Sequence, residues 1–311
     1  MMVVSADPQV RASVLRRQPI SRVAVGVNGF AAGQDAAVLA TAIARPMHAE
    51  IMLVAVHPPP VVVLPDEVGW KAVEKQAVDM LAEVRECFAG GARTVVETDL
   101  SVPRALERVV RREHGDLLVV GSSRHAPEGH VRIGKRTREL LSHLRCPLAI
   151  APRGLHVAES HTLKRIVVGY DGGPEAELAL GLATRIALAA DAELSVCAVV
   201  DDRVPPVGWP ALAHGGASGP RSKDAVLQRE RSLRKRATKA AHAGGARAQV
   251  EVRTGRPADP LLELSRAADL LVIGSRRWGP AARLLFGSTG EALAHDAACP
   301  LLVAARPAPD R

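Results

Sequence analysis

Apolar residues in this chain come in short unbroken runs, separated by longer stretches in which they recur every three or four positions. Runs at 23–27, 51–56, 117–120 and Leu148–Ala151 read as strands buried on both faces. The stretches between them read as amphipathic helices. A third strand is expected at 93–97, followed by a short helix over 103–113. A glycine-rich loop and a further helix precede the last strand. The same order then recurs, with strands at 166–168, 194–200, 249–252, 270–273 and Leu301–Ala304 and a short helix over 260–267.

The recurrence extends to sequence. SRVAVGVNGF (21–30) matches KRIVVGYDGG (164–173), GDLLVVGSSRHAP (115–127) matches ADLLVIGSRRWGP (268–280), and RCPLAIAPR (145–153) matches ACPLLVAAR (298–306). The offset is 143 early and 153 late, far too long for a solenoid, so the chain is a duplicated domain. The expected organisation is an N-terminal tail (1–20), a first domain (21–153), a polar linker (154–162) and a second domain (163–306). Strands alternating with helices predict an α/β fold: two repeated open, doubly wound, parallel five-stranded sheets of Rossmann-like type. In such sheets a ligand sits beyond the carboxyl ends of the strands, where the winding switches direction. The final strands, Leu148–Ala151 and Leu301–Ala304, are short and wholly apolar. An uncovered edge of that kind seeks a partner, so the two are expected to pair antiparallel about a pseudo-twofold axis.

Composition narrows the chemistry. Four cysteines (Cys87, Cys146, Cys197, Cys299) are widely spaced without a C-x-x-C, and no H-E-x-x-H is present. Buried reduced thiols and no bound metal are therefore expected. The N-terminus shows no secretory signal and no apolar run is long enough to span a bilayer, which predicts a soluble, cytoplasmic protein. The net charge of +8 is concentrated in 221–241, read as a helix with Val226, Leu227, Leu233 and Ala237 facing inward and arginines outward. Single-strand binders need aromatic stacking platforms, and the chain has only seven aromatic residues. Neither nucleic acid nor membrane is expected as a partner.

GHVRIGKRT (129–137) imitates a phosphate-binding P-loop. The lysine of such a loop must be followed by Ser or Thr to ligate Mg²⁺. Arg136 stands there instead, and the preceding strand ends nine residues before Gly129. In the repeat alignment Gly134-Lys135 falls opposite Gly287-Ser288, and Gly129 opposite Ala282. The P-loop reading fails.

Two loops of the second repeat should meet at the crevice: Gly169-Tyr170-Asp171-Gly172, and Gly274-Ser275-Arg276-Arg277 leading through Gly287-Ser288-Thr289-Gly290 into a helix. Free N–H groups at a helix start attract phosphate. Glycines at 169 and 274 would permit close approach or positive φ, and Ser288 suits an N-cap. Together these residues resemble the universal stress protein family, marked by a loop of the form G-x2-G-x9-G-[ST] after the fourth strand and an Asp after the first. The resemblance covers both repeats. It implies an adenine-nucleotide (ATP) site, with or without Mg²⁺, in a non-catalytic stress-signalling module. Carried over, it puts Asp171 by the nucleoside and the backbone near Val199 on adenine. Gly274, Arg276, Arg277, Gly287, Ser288 and Thr289 would surround the phosphates. It also implies a pseudo-dimer within one chain, an unidentified protein partner, and any homodimer formed through another face.

This chain departs from the pattern in places. Arg277 occupies the second-glycine position. In the first repeat Asn28 replaces the Asp, Arg124 the second glycine, and Lys135 the Ser/Thr. The second repeat should thus hold the better site. Two other functions remain open to the sequence: a nucleotide-free interaction protein, or a nucleotide hydrolase or adenylyltransferase on the same scaffold. No catalytic base paired with an activated nucleophile is visible. The proline-rich loops carrying Trp70 and Trp209 are expected either as lids over the crevices or as packing anchors.

Overall fold

A computed structural model describes residues 20–59, 67–158, 161–201, 223–278, 283–285 and 287–304. The first half runs β1 (Arg22–Val27), α1 (Ala31–Met47), β2 (Glu50–His57), α2 (Glu67–Phe88), β3 (Arg93–Thr98), α3 (Val102–Arg112), β4 (Leu117–Gly121), α4 (Lys135–His143) and β5 (Leu148–Ala151). A 3₁₀ turn at Leu155–Val157 leads into the second half. There follow β6 (Arg165–Tyr170), α5 (Pro174–Ala190), β7 (Glu193–Val200), α6 (Lys223–Gly244), β8 (Ala248–Thr254), α7 (Ala258–Ser265) and β9 (Leu270–Gly274). The short strands β10 (Arg276–Trp278) and β11 (Arg283–Leu285), then α8 (Ser288–Asp296) and β12 (Leu301–Ala304), complete it.

Ten strands form one continuous sheet in the order β3-β2-β1-β4-β5-β12-β9-β6-β7-β8. Each five-stranded half is parallel and doubly wound, with its switch between β1 and β4 or between β6 and β9. The halves meet where β5 and β12 pair antiparallel, Leu302 opposite Ala149 and Leu301 opposite Ile150. The expected edge pairing is therefore present. Two apolar layers sandwich the sheet. One includes α1, α2, α5 and α6 residues such as Leu39, Leu81, Ile186 and Ala237. The other includes Leu106, Leu140, Leu261 and Leu293 from α3, α4, α7 and α8. Central strands buried on both faces explain why their sequences are unbroken apolar runs rather than alternating ones.

The repeated Asp before the fourth strand of each half has a definite task. Asp116 accepts from the N–H groups of Ser21 and Arg22 at 2.8 and 3.0 Å, and Asp269 accepts from Lys164 and Arg165 at 2.8 and 2.7 Å. Each carboxylate ties the start of its half's first strand. The helices α1 and α5 end alike, in left-handed His48 and Asp191.

The segment read as a polar linker is partly anchored. Asp35, buried in α1, accepts from Gly154 N–H (3.1 Å) and His156 N–H (2.8 Å) and lies 2.6 Å from His156 Nδ1. The His156 ring also meets Phe88 edge-on.

Three sequence expectations are corrected. Leu227 is exposed, whereas the other residues expected to face inward from α6 are half-buried (Val226, Leu233) or buried (Ala237), and Ala241 is buried with them. Cys87 is exposed, whereas Cys146, Cys197 and Cys299 are buried thiols whose pKa burial pushes up to about 12. Trp70 lies in the first turn of α2 rather than in a loop, and Trp209 lies outside the described residues. Among the described residues no helix is long and apolar enough to cross a membrane.

Candidate functional site

Where β6, β7 and β9 end, the second half opens into a cleft of about 230 Å³. Asp171, Glu175, Val199, Gly274, Gly287 and Thr289 are among the residues that line it. They come from the end of β6 and the start of α5, the end of β7, the end of β9, and the start of α8. The switch point between β6 and β9 thus gathers five of the eight residues named from sequence: Asp171, Val199, Gly274, Gly287 and Thr289. Ser288 sits between two lining residues as the first residue of α8 but is not itself on the wall. Arg276 and Arg277 lie in β10, which pairs antiparallel with β11, Arg276 opposite Leu285 and Arg277 opposite Leu284. Instead of a continuous glycine loop, this part of the chain includes a short hairpin.

The N-cap of α8 is Gly287, in extended backbone (φ −72°, ψ 175°), and not Ser288. A glycine cap offers no side-chain oxygen to the first-turn N–H groups. Those N–H groups point out of the helix at the cleft, with the helix dipole behind them. This end of the site favours an anion.

Gly169 and Gly274 are strand residues and have no positive φ, so the positive-φ use read from the sequence does not apply. Their small size answers to packing. A Cβ on Gly274 would lie 2.6 Å from the carbonyl carbon and oxygen of Glu175, and one on Gly169 would lie 3.0 Å from Leu261 Cδ1. Gly274 lets the first turn of α5 cross directly over the end of β9, which brings Glu175 to the cleft. Gly172 is the loop's left-handed residue (φ +78°), and its carbonyl accepts a hydrogen bond from Arg236 of α6. Asp171 Oδ1 accepts from Gly173 N–H at 2.8 Å, which fixes the turn into α5.

The opposite wall is acidic and protic. Asp171 and Glu175 present carboxylates, which can only accept hydrogen bonds when ionised. Buried Tyr170 donates its hydroxyl to Glu177. Burial and that carboxylate push its pKa above the ordinary tyrosine range, so it stays a protonated donor. Cys197 also lines the cleft, and its thiol is pushed up to about 12 by burial and then by Glu251, so it is no nucleophile at neutral pH. Sequence reasoning missed Glu175, Cys197 and Arg236, and named Tyr170 only as part of the loop after β6. For Glu175 a signal existed: Pro174 marks a helix start and puts the next residue in its first turn, beside Asp171.

The first half handles its corresponding loop differently. Gly134 caps α4 and Lys135 begins it. Ser122 Oγ donates to Ala151 O (2.7 Å) and accepts from Arg132 N–H (3.2 Å). Val131 and Ile133 donate to Ala297 O and Ala294 O at 2.8 and 2.9 Å, so the loop docks on the C-terminal half of α8 in the other half.

Residues 19–152 and 162–305 each match the universal stress protein family. A universal stress protein of Methanocaldococcus jannaschii is 32% identical over 146 residues, 46% of this chain and 83% of the relative. One of Mycolicibacterium smegmatis is 30% identical over 155 residues, 47% of this chain. The chain spans about half the length of the mycobacterial relatives it matches, 50% and 55%. The crystal structure of a universal stress protein from Archaeoglobus fulgidus has the same fold, with a TM-score of 0.63 at 17% identity, covering 93% of this chain and 97% of its own. Two matches in tandem, together spanning nearly the whole sequence, place the chain in the universal stress protein family in its two-domain form.

Proposed function

We propose that the second domain binds an adenine nucleotide, ATP alone or with Mg²⁺, and that the protein is a non-catalytic, nucleotide-responsive module of the stress response. The observation that carries this reading is the uncapped start of α8 at Gly287, facing a cleft whose other wall is acidic. The two ends suit different parts of one ligand. N–H groups and a helix dipole favour phosphate, while the Asp171 and Glu175 carboxylates favour hydroxyl or amino donors such as those of ribose and adenine. The cleft volume of about 230 Å³ is below the roughly 300–1,000 Å³ of common ligand pockets. Base and sugar would occupy it, with the phosphates lying outside along the first turn of α8. Arg276 and Arg277 remain in the proposal as phosphate contacts from β10, with Ser288 as a hydroxyl donor.

One observation favours a second reading. The β10–β11 hairpin occupies part of the stretch in which the family pattern has its glycine loop, as it would in a nucleotide-free interaction protein. Mass spectrometry of small molecules released on denaturing the purified protein decides between them. ATP or ADP at near one equivalent is expected. A protein that is empty, and that takes up no ATP on dialysis, sinks the nucleotide reading. Steady hydrolysis of added ATP would instead make it an enzyme.

A further inference from the structure

The duplication puts two non-identical residues face to face. Positions 138 and 291 are equivalent by the same offset of 153 that aligns the two final strands. Leu302 lies opposite its own equivalent, Ala149, in the β5–β12 pair, so the local pseudo-twofold axis passes through that pair. Arg138 of α4 and Glu291 of α8 form an ion pair across the same boundary. In a symmetric pairing of identical repeats this position would oppose two like charges. Here divergence has made them complementary.

The location of the pair matters more than its strength. Glu291 is in the first turn of α8, its N–H donating to Gly287 O at 2.9 Å. That is the turn whose N–H groups face the cleft. An unpaired carboxylate there would repel phosphate and compete for the helix dipole. The first turn of α4, by contrast, contains Lys135, Arg136 and Arg138 and no acid. The first domain also bonds the far end of the same helix, through Val131 and Ile133 to Ala297 O and Ala294 O. So α8 is gripped at both ends by the domain that departs further from the family motif.

We propose that Arg138 is a positioning residue for the second domain's phosphate end. The first domain supplies it across the pseudo-twofold axis to neutralise Glu291. This rests on the nucleotide reading above. The side chains of the pair are 49% and 39% exposed, and exposed pairs contribute little to stability. Arg138→Ala should therefore fold normally and report on binding alone.

The test is calorimetric titration of ATP and of adenosine into the full chain, for wild type, Arg138→Ala, Arg138→Lys, Glu291→Gln and Arg138→Ala/Glu291→Gln. Arg138→Ala is expected to weaken ATP by about three- to tenfold at low salt, with the loss shrinking at high salt. Adenosine, which has no phosphate, should bind unchanged. Arg138→Lys should retain most of the ATP affinity, and the double variant should regain it. If Arg138→Ala leaves ATP binding intact, weakens adenosine equally, or is not rescued by Glu291→Gln, the inference is overturned while the nucleotide reading stands. A wild-type protein that binds neither ligand overturns both.

Discussion

Leu302→Asp should destabilise the protein by more than about 4 kcal/mol, enough to leave the chain largely unfolded at 37 °C. Leu302 has no exposed surface, lies in the centre of a ten-stranded sheet, and is bracketed by β5 on one side and β9 on the other. A carboxylate there must either be desolvated without a partner or take up a proton; both are costly in an apolar layer. Leu302→Met keeps volume and polarity and should cost less than about 1.5 kcal/mol. Urea unfolding followed by circular dichroism measures both. A Leu302→Asp protein as stable as Leu302→Met would show that these strands are not buried against each other. The same burial makes the pairing of the halves part of the fold rather than an optional association.

A second large effect is expected at a pair of glycines. A Cβ on Gly121 would meet the carbonyl of Ala32, lying 2.6 Å from its carbon, and one on Gly274 would meet the carbonyl of Glu175 at the same distance. Backbone cannot swing aside as a flexible side chain can, so Gly121→Ala and Gly274→Ala should each cost about 3 kcal/mol. Gly90→Ala is the control, since a Cβ there meets nothing within 4 Å, and its effect should stay within about 0.5 kcal/mol. The two core variants should differ in function. Gly274→Ala displaces the first turn of α5, which follows Asp171 and carries Glu175, so it should impair nucleotide binding as well as stability. Gly121→Ala should leave the second cleft intact. Equal stability for Gly274→Ala and Gly90→Ala would contradict the packing role assigned here.

Much of this architecture was legible because it rests on periodicity and duplication. The buried strands announced themselves as apolar runs, and the repeat offsets identified two copies of one unit. The antiparallel β5–β12 pair followed from two short apolar edges with no charge to blunt them. The cleft's outline followed from winding alone, since a switch point collects the same loop ends whatever residues they hold.

What escaped the sequence was set by tertiary contact. Leu227 looks like a core position by spacing, yet it lies near the start of α6 and stays exposed. Gly274 could serve positive φ or close approach by sequence alone, and only the fold shows the backbone of Glu175 against it. Asp35 looks like an ordinary helix-surface acid, and only the fold shows it binding two N–H groups of the segment after β5. The β10–β11 hairpin is formed from three-residue strands, too short to carry a period of their own. Arg138 and Glu291 could have been paired from the repeat offset once β5–β12 pairing was assumed, since that axis makes equivalent positions face each other.

The central claim, one adenine-nucleotide site per chain built on α8 of the second domain, is tested most directly by calorimetric titration of ATP into the intact protein and into Gly287→Ala. The account predicts one ATP per chain, with affinity reduced by about tenfold or more when a Cβ is placed at the N-cap that presents the phosphate-binding N–H groups. Two ATP per chain, none, or an affinity unchanged by Gly287→Ala would contradict it.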